Sequence, residues 1–175
     1  MTLKEKIKNS FPKKVIFPQE LAMLCDWSEE NSARLRTQIS GGFSLTVNDD
    51  AIKYWFGNEN ASDSLGVFAN DYDGSLYAIW NNGKTQQIVF LGSEGSPLLI
   101  LADNFIDFLR LLAIGYDEIG FSDLSKTPEK NCANAEFKTW VENTFNVAIP
   151  QSGDSITNIN DLNFENWVNE KLNNL

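Results

Sequence analysis

Imidazole is the first thing to look for in a chain that might carry chemistry, and there is no histidine among these 175 residues. Ser-His-Asp triads, Cys-His nucleophiles, HExxH zinc sites and zinc-deaminase motifs all use imidazole as base or ligand, so composition excludes each of them. Cys25 and Cys132 lie far apart without CxxC spacing. Two such thiols are too few soft ligands for a structural zinc site and read as reduced structural cysteines. Gly83-Lys84-Thr85 has the ending of a phosphate-binding loop, but Ala78 stands where the earlier glycine is required and the lysine falls in a hairpin, so the tripeptide reads as a turn. Ser10-Phe11-Pro12-Lys13 fits SxxK by spacing alone, because Pro12 disfavours the helix that would align hydroxyl and amine, and no KTG follows.

What remains is carboxylates and aromatics. Asp71-Tyr72-Asp73-Gly74 starts like a calcium loop but lacks the later ligands and the terminal Glu that complete a hard-cation cage. Asp49 with Asp50, or Asp71 with Asp73, would serve acid/base chemistry only if one member were desolvated; Asp is favoured in turns for its local hydrogen bonds, and these read as turn residues. Tyr72, Tyr77, Trp80 and Trp55 are the large rigid side chains suited to an interface, with core packing as the competing role. No catalytic residue, metal ligand or cofactor site is assigned.

The elements that must position these groups are legible as patterns. Thr2-Leu3-Lys4-Glu5 has capping-box spacing before a short helix, and Pro18 opens a second one whose stripe is Leu21, Leu24, Cys25 and Ser28. Gly41-Gly42 punctuates before Phe43–Val47, where Phe43, Leu45 and Val47 alternate as in a half-buried strand, and 51–55 begins a short helix. Leu65–Ala69, Leu76–Trp80 and Gln87–Leu91 read as three antiparallel strands joined by Asp73-Gly74 and Asn82-Gly83 turns. Alternation sets Tyr77 and Ile79 opposite Leu76, Ala78 and Trp80, so one set covers a helix layer and the other is open to solvent or a partner, with Trp80 assigned to the core. Pro97–Leu101 reads as an edge strand. Asp103 or Asn104 then caps a helix carrying Phe105, Phe108, Leu109 and Leu112, which Gly115 terminates. Phe137, Trp140, Val141 and Phe145, then Phe164, Trp167, Val168 and Leu172, repeat the helical spacing.

Hydrophobic residues make up 42% of the chain, enough for one core at this length, so a single α+β domain spanning 1–175 is expected: a mostly antiparallel sheet with helices packed on it and C-terminal helices appended. The opening residues read as neither a secretory signal nor a spanning segment, which makes the cytoplasm the expected compartment, with no membrane partner. A net charge of −10 argues against direct nucleic-acid binding, which needs Lys and Arg on one face, and is compatible with a basic protein partner. The charge is uneven: Asp49, Asp50, Glu59, Asp63, Asp71 and Asp73 meet only Lys53. Asp49, Asp50, Asp71 and Asp73, with Tyr72 as an aromatic anchor, are therefore the candidate binding residues.

The run from Gly66 through Tyr77 and Trp80, the turn into Ile88-Val89-Phe90-Leu91-Gly92 and the Asn104-Phe105-Ile106-Asp107-Phe108-Leu109 helix, preceded by the Phe17–Gly42 segment, resembles the SUKH superfamily. That superfamily includes relatives of a yeast cell-wall-synthesis regulator. The likeness covers Phe17 to Gly120 and leaves 121–175 as a helical extension; its motifs are patterns of hydrophobicity and glycine. It implies an α+β fold and, for bacterial members, a non-enzymatic immunity protein that binds and neutralises a protein toxin, often a nuclease. Toxin-facing residues vary across such a family, so none is carried over. A regulatory protein-interaction scaffold is the alternative implied by the eukaryotic relative, and a small hydrolase would need an acid/base pair that the sequence does not display.

Overall fold

The computed structural model describes residues 1–35 and 38–173. Arg36 and Thr37, within the span of the resemblance, and Asn174 and Leu175, at the end of the extension, lie outside them. The elements run α1 (Leu3–Ser10), α2 (Gln19–Leu35), β1 (Ser44–Leu45), α3 (Ala51–Phe56), β2 (Leu65–Asn70), β3 (Leu76–Asn81), β4 (Gln86–Leu91), β5 (Leu98–Ala102), α4 (Phe105–Ile114), α5 (Ala135–Phe145) and α6 (Asn163–Asn173). The five strands form one sheet in sequence order, antiparallel throughout. This is the expected α+β class.

Local chemistry explains the turns and caps. Gly74 and Gly83 sit at φ 85° and 90°, a left-handed conformation that a Cβ would disfavour, and they close the β2–β3 and β3–β4 hairpins. The Thr2 hydroxyl accepts from the Glu5 amide while the Glu5 carboxylate accepts from the Thr2 amide, completing the capping box of α1. Asn104, one of the two expected caps, accepts from the Asp107 amide at 2.9 Å.

The sheet is buried on both faces, and here the structure corrects the sequence reading. On one face Phe43, Phe68, Tyr77, Ile79, Ile88 and Phe90 pack with α1, α2, α4 and α5, and Phe105, Phe108, Leu109 and Leu112 of α4 are all buried there. The opposite face carries Leu65, Val67, Leu76, Ala78, Val89 and Leu91 beneath α3 and α6, so neither set of β3 side chains is left open to solvent or a partner, and Trp80 lies in the core as expected. Trp80 is 3% exposed, with its ring centroid 5.1 Å from Phe164 and 5.4 Å from Trp167. Thus the C-terminal stripe predicted from Phe164 and Val168 supplies part of the cover of the second face. Each such side chain contributes about 1.5–3 kcal/mol by leaving water.

β1 is shorter than the predicted Phe43–Val47. It pairs only Ser44 with Asn70 and Leu45 with Ala69, and it stops where the β2–β3 register shifts between Val67 and Ala69. A bulge of this kind bends its strand away from the neighbour. Val47 is consequently exposed. At the far edge, the Thr157 hydroxyl donates to the Leu101 carbonyl at 2.6 Å and so covers part of β5.

Candidate interaction surface

The β2–β3 turn holds three of the five candidate residues, and the structure treats each one differently. Asp71 opens the turn, its amide bonded to the Ser75 carbonyl at 2.9 Å and its carbonyl accepting from Gly74 at 3.1 Å. Its side chain points inward. The residue is only 3% exposed, and its carboxylate accepts from the Tyr77 hydroxyl at 2.6 Å and the Tyr72 amide at 2.8 Å. The expectation of a solvent-facing charge at Asp71 is therefore corrected: it is a buried, doubly hydrogen-bonded carboxyl. Burial pushes its pKa up, the two hydrogen bonds oppose that, and the neighbouring charges of Asp73 and Asp117 push further upward; the net shift is up.

What buries Asp71 is Gly42. A Cβ there would lie 1.8 Å from the Asp71 Oδ1 and 2.6 Å from the Tyr72 ring, so only a glycine lets the 39–42 segment close over the turn. That segment is itself stitched in place by Gly42 N–H to the Asp117 carbonyl at 2.8 Å and Gly41 N–H to the Cys132 carbonyl at 3.1 Å.

Asp73 stays at the surface as the acceptor of an Asx turn. It takes the Ser75 amide and the Ser75 hydroxyl, each at 2.9 Å, and the Ser93 hydroxyl at 3.1 Å. Partial burial works against its charge, yet the bonds from Ser75 and Ser93 outweigh that and hold the carboxyl below the ordinary range. Tyr72 is 56% exposed and its hydroxyl donates to the Gln38 side chain at 3.3 Å. Its ring stands between two grooves, one of about 440 Å³ and one of about 670 Å³, the second lined by Tyr116, Asp117, Asp123, Lys126 and Cys132.

Asp49 and Asp50 are exposed at the start of α3, where Asp50 occupies the N-cap without a side-chain cap bond. Among the described residues no hydrogen bond or ion pair joins them to the 71–73 turn. The carboxylates that do join it were missed by the sequence reading: exposed Asp117 and half-buried Glu118, which follow the Gly115 terminator of α4. Burial raises the pKa of Glu118, and the charges of Asp71, Asp117 and Asp73 raise it further. The only local sequence signal was a Tyr-Asp-Glu run after a helix stop; that it faces residue 71 is decided by the Gly42–Asp117 bond.

Cys25 is buried and Cys132 half-buried, both as free thiols, and burial first, then the charges of Asp26 and Glu29, push the Cys25 thiol up to about 12. Among the described residues no group of three or more acidic or Cys side chains is arranged to hold a metal ion, and no helix is long and apolar enough to cross a membrane. Comparison with protein-family models, with curated proteins and with solved structures gave no match.

Proposed function

We propose that this protein acts by stoichiometric binding of a basic protein partner in the cytoplasm, as an immunity protein against a bacterial toxin, with the surface around Tyr72 as the contact. The observation that carries this is the surface itself: an exposed tyrosine that follows buried Asp71, precedes exposed Asp73 and shares a groove with exposed Asp117, next to Glu118. Tyr supplies rigid amphipathic area at low entropic cost, and clustered carboxylates steer and match a cationic face such as a nuclease presents. The resemblance to the SUKH superfamily supplies the class of partner. Asp49 and Asp50 belong to this reading only as a flanking charge.

The test is to mix the purified full chain with the product of the neighbouring toxin-like gene and follow complex formation by size-exclusion chromatography and calorimetry. A one-to-one complex that suppresses the toxin's activity is expected. Absence of a complex together with binding to host proteins would move the assignment to the regulatory scaffold.

A further inference from the structure

The larger groove beside Tyr72, about 670 Å³, has Tyr72 and Asp117 in one lining. What brings them together is the Gly41-Gly42 main chain. A Cβ on Gly42 would lie 2.6 Å from the Tyr72 ring, and the Gly42 amide donates to the Asp117 carbonyl at 2.8 Å, so a single glycine backbone, bare of any side chain, stands between the ring and Asp117. Tyr72 is 56% exposed, and its hydroxyl donates to the Gln38 side chain at 3.3 Å, which steadies the ring at the groove's edge. Asp117 is exposed, and its carboxylate has no hydrogen-bond or ion-pair partner among the described residues.

The remaining charges leave this groove anionic. Lys126 is paired with Asp123 at 2.9 Å, so these two offset each other. Exposed Asp117 and Glu129 then face only Lys130. An exposed aromatic ring with an unpaired carboxylate beside it suits one side chain best. A guanidinium is planar and weakly hydrated, so it stacks on a ring while its fork of N–H donors meets a carboxylate, whereas the ammonium of lysine is a compact, strongly hydrated point charge.

We infer that the groove between Tyr72 and Asp117 receives an arginine side chain of the partner protein, its guanidinium laid on the Tyr72 ring and bonded to the Asp117 carboxylate. This deepens the proposed binding of a basic protein and rests on that reading for the partner's identity. The preference for arginine rests on the groove alone.

The probe is the blocked tripeptide Gly-Arg-Gly, titrated at physiological salt into the isotope-labelled full chain and followed by NMR, beside Gly-Lys-Gly and the uncharged counterpart with citrulline in place of arginine. Saturable shifts at the amides of Gly41, Gly42, Tyr72 and Asp117 are expected with the arginine peptide, weaker binding with lysine, and about tenfold weaker binding or none with citrulline. Tyr72→Phe keeps the ring and should keep the binding; Tyr72→Leu and Asp117→Asn should each lose it, with the amide signals of the buried core unchanged as the check on folding. Equal binding of the arginine and citrulline peptides, unaltered binding by Asp117→Asn or Tyr72→Leu, shifts centred on Asp49 and Asp50 instead, or no saturable shift up to the peptide's solubility limit overturns the inference. Arginine binding at this groove without a complex with the neighbouring gene product would uphold the groove and count against the toxin reading. A toxin that binds wild type, Asp117→Asn and Tyr72→Leu equally would overturn the groove while leaving toxin binding standing.

Discussion

Asp71 and Trp80 show how a single atom's surroundings set a residue's part. Because the Asp71 pKa is raised in the folded state, that state holds the proton more tightly than the unfolded chain. The resulting contribution to stability is fully present below the unfolded carboxyl pKa, about 3.9, and is lost as pH rises through the raised folded value. Denaturation profiles of the wild type and Asp71→Asn should therefore diverge in the wild type's favour as pH falls across the carboxylate range; the opposite slope would mean that the hydrogen bonds from Tyr77 and Tyr72, and not burial, dominate the site. Trp80 poses a different question. Its indole N–H is buried with no hydrogen-bond partner among the described residues, and an unmet donor costs on the order of 1–3 kcal/mol. Trp80→Phe keeps an aromatic ring between Phe164 and Trp167 while removing that donor, so its effect on the denaturant midpoint should be far smaller than the roughly 3–5 kcal/mol of Trp80→Ala. Equal losses for the two would show that a phenyl ring recovers none of the packing and that the indole itself is required there.

At the scale of elements, α4 and α6 hold opposite faces of one sheet, and both are expected to matter. Leu109→Ala on α4 and Phe164→Ala on α6 each remove a side chain with no exposed surface, at a cost of about 2–5 and 3–5 kcal/mol respectively. Chemical denaturation of the two variants measures this. A negligible shift for Phe164→Ala would make α6 a dispensable extension and leave the Trp80 face covered by α3 alone. Sequence and structure agree best where a local rule decides: Thr2 with Glu5, Asn104, Gly115, and the Asp73-Gly74 and Asn82-Gly83 hairpins were all readable from residue type and spacing. Alternation in Leu76–Trp80 correctly separated the two sets of side chains. It was silent on what would cover each, because an apolar set looks the same whether a helix ninety residues later or a partner lies over it. β1 was overextended for a similar reason, since the bulge that ends its pairing belongs to another strand.

For the molecule as a whole, the net charge of −10 was plain in the composition, and which carboxylates come together near Asp73 was not. Asp49, Asp50, Asp71 and Asp73 were grouped by nearness in sequence. Folding takes Asp71 inside, leaves Asp49 and Asp50 at α3, and brings Asp117 and Glu118 to Asp73 across the Gly41-Gly42 segment. Charge reversal at Asp71 would therefore probe the fold, not the surface, and Asp73 holds its own turn together. Asp117 and Glu118 are the better handles because their side chains take part in no hydrogen bond or ion pair among the described residues.

The most direct measurement is the association rate of Asp117→Lys/Glu118→Lys with the toxin partner proposed above across a range of ionic strength, beside that of the wild type. If binding runs through this surface, the wild-type rate falls steeply with salt, and the double variant, folded and equally stable, associates about tenfold or more slowly at low salt with a flattened salt dependence. An unchanged rate, affinity and salt slope in the double variant would contradict the proposal that the Tyr72 surface meets the toxin.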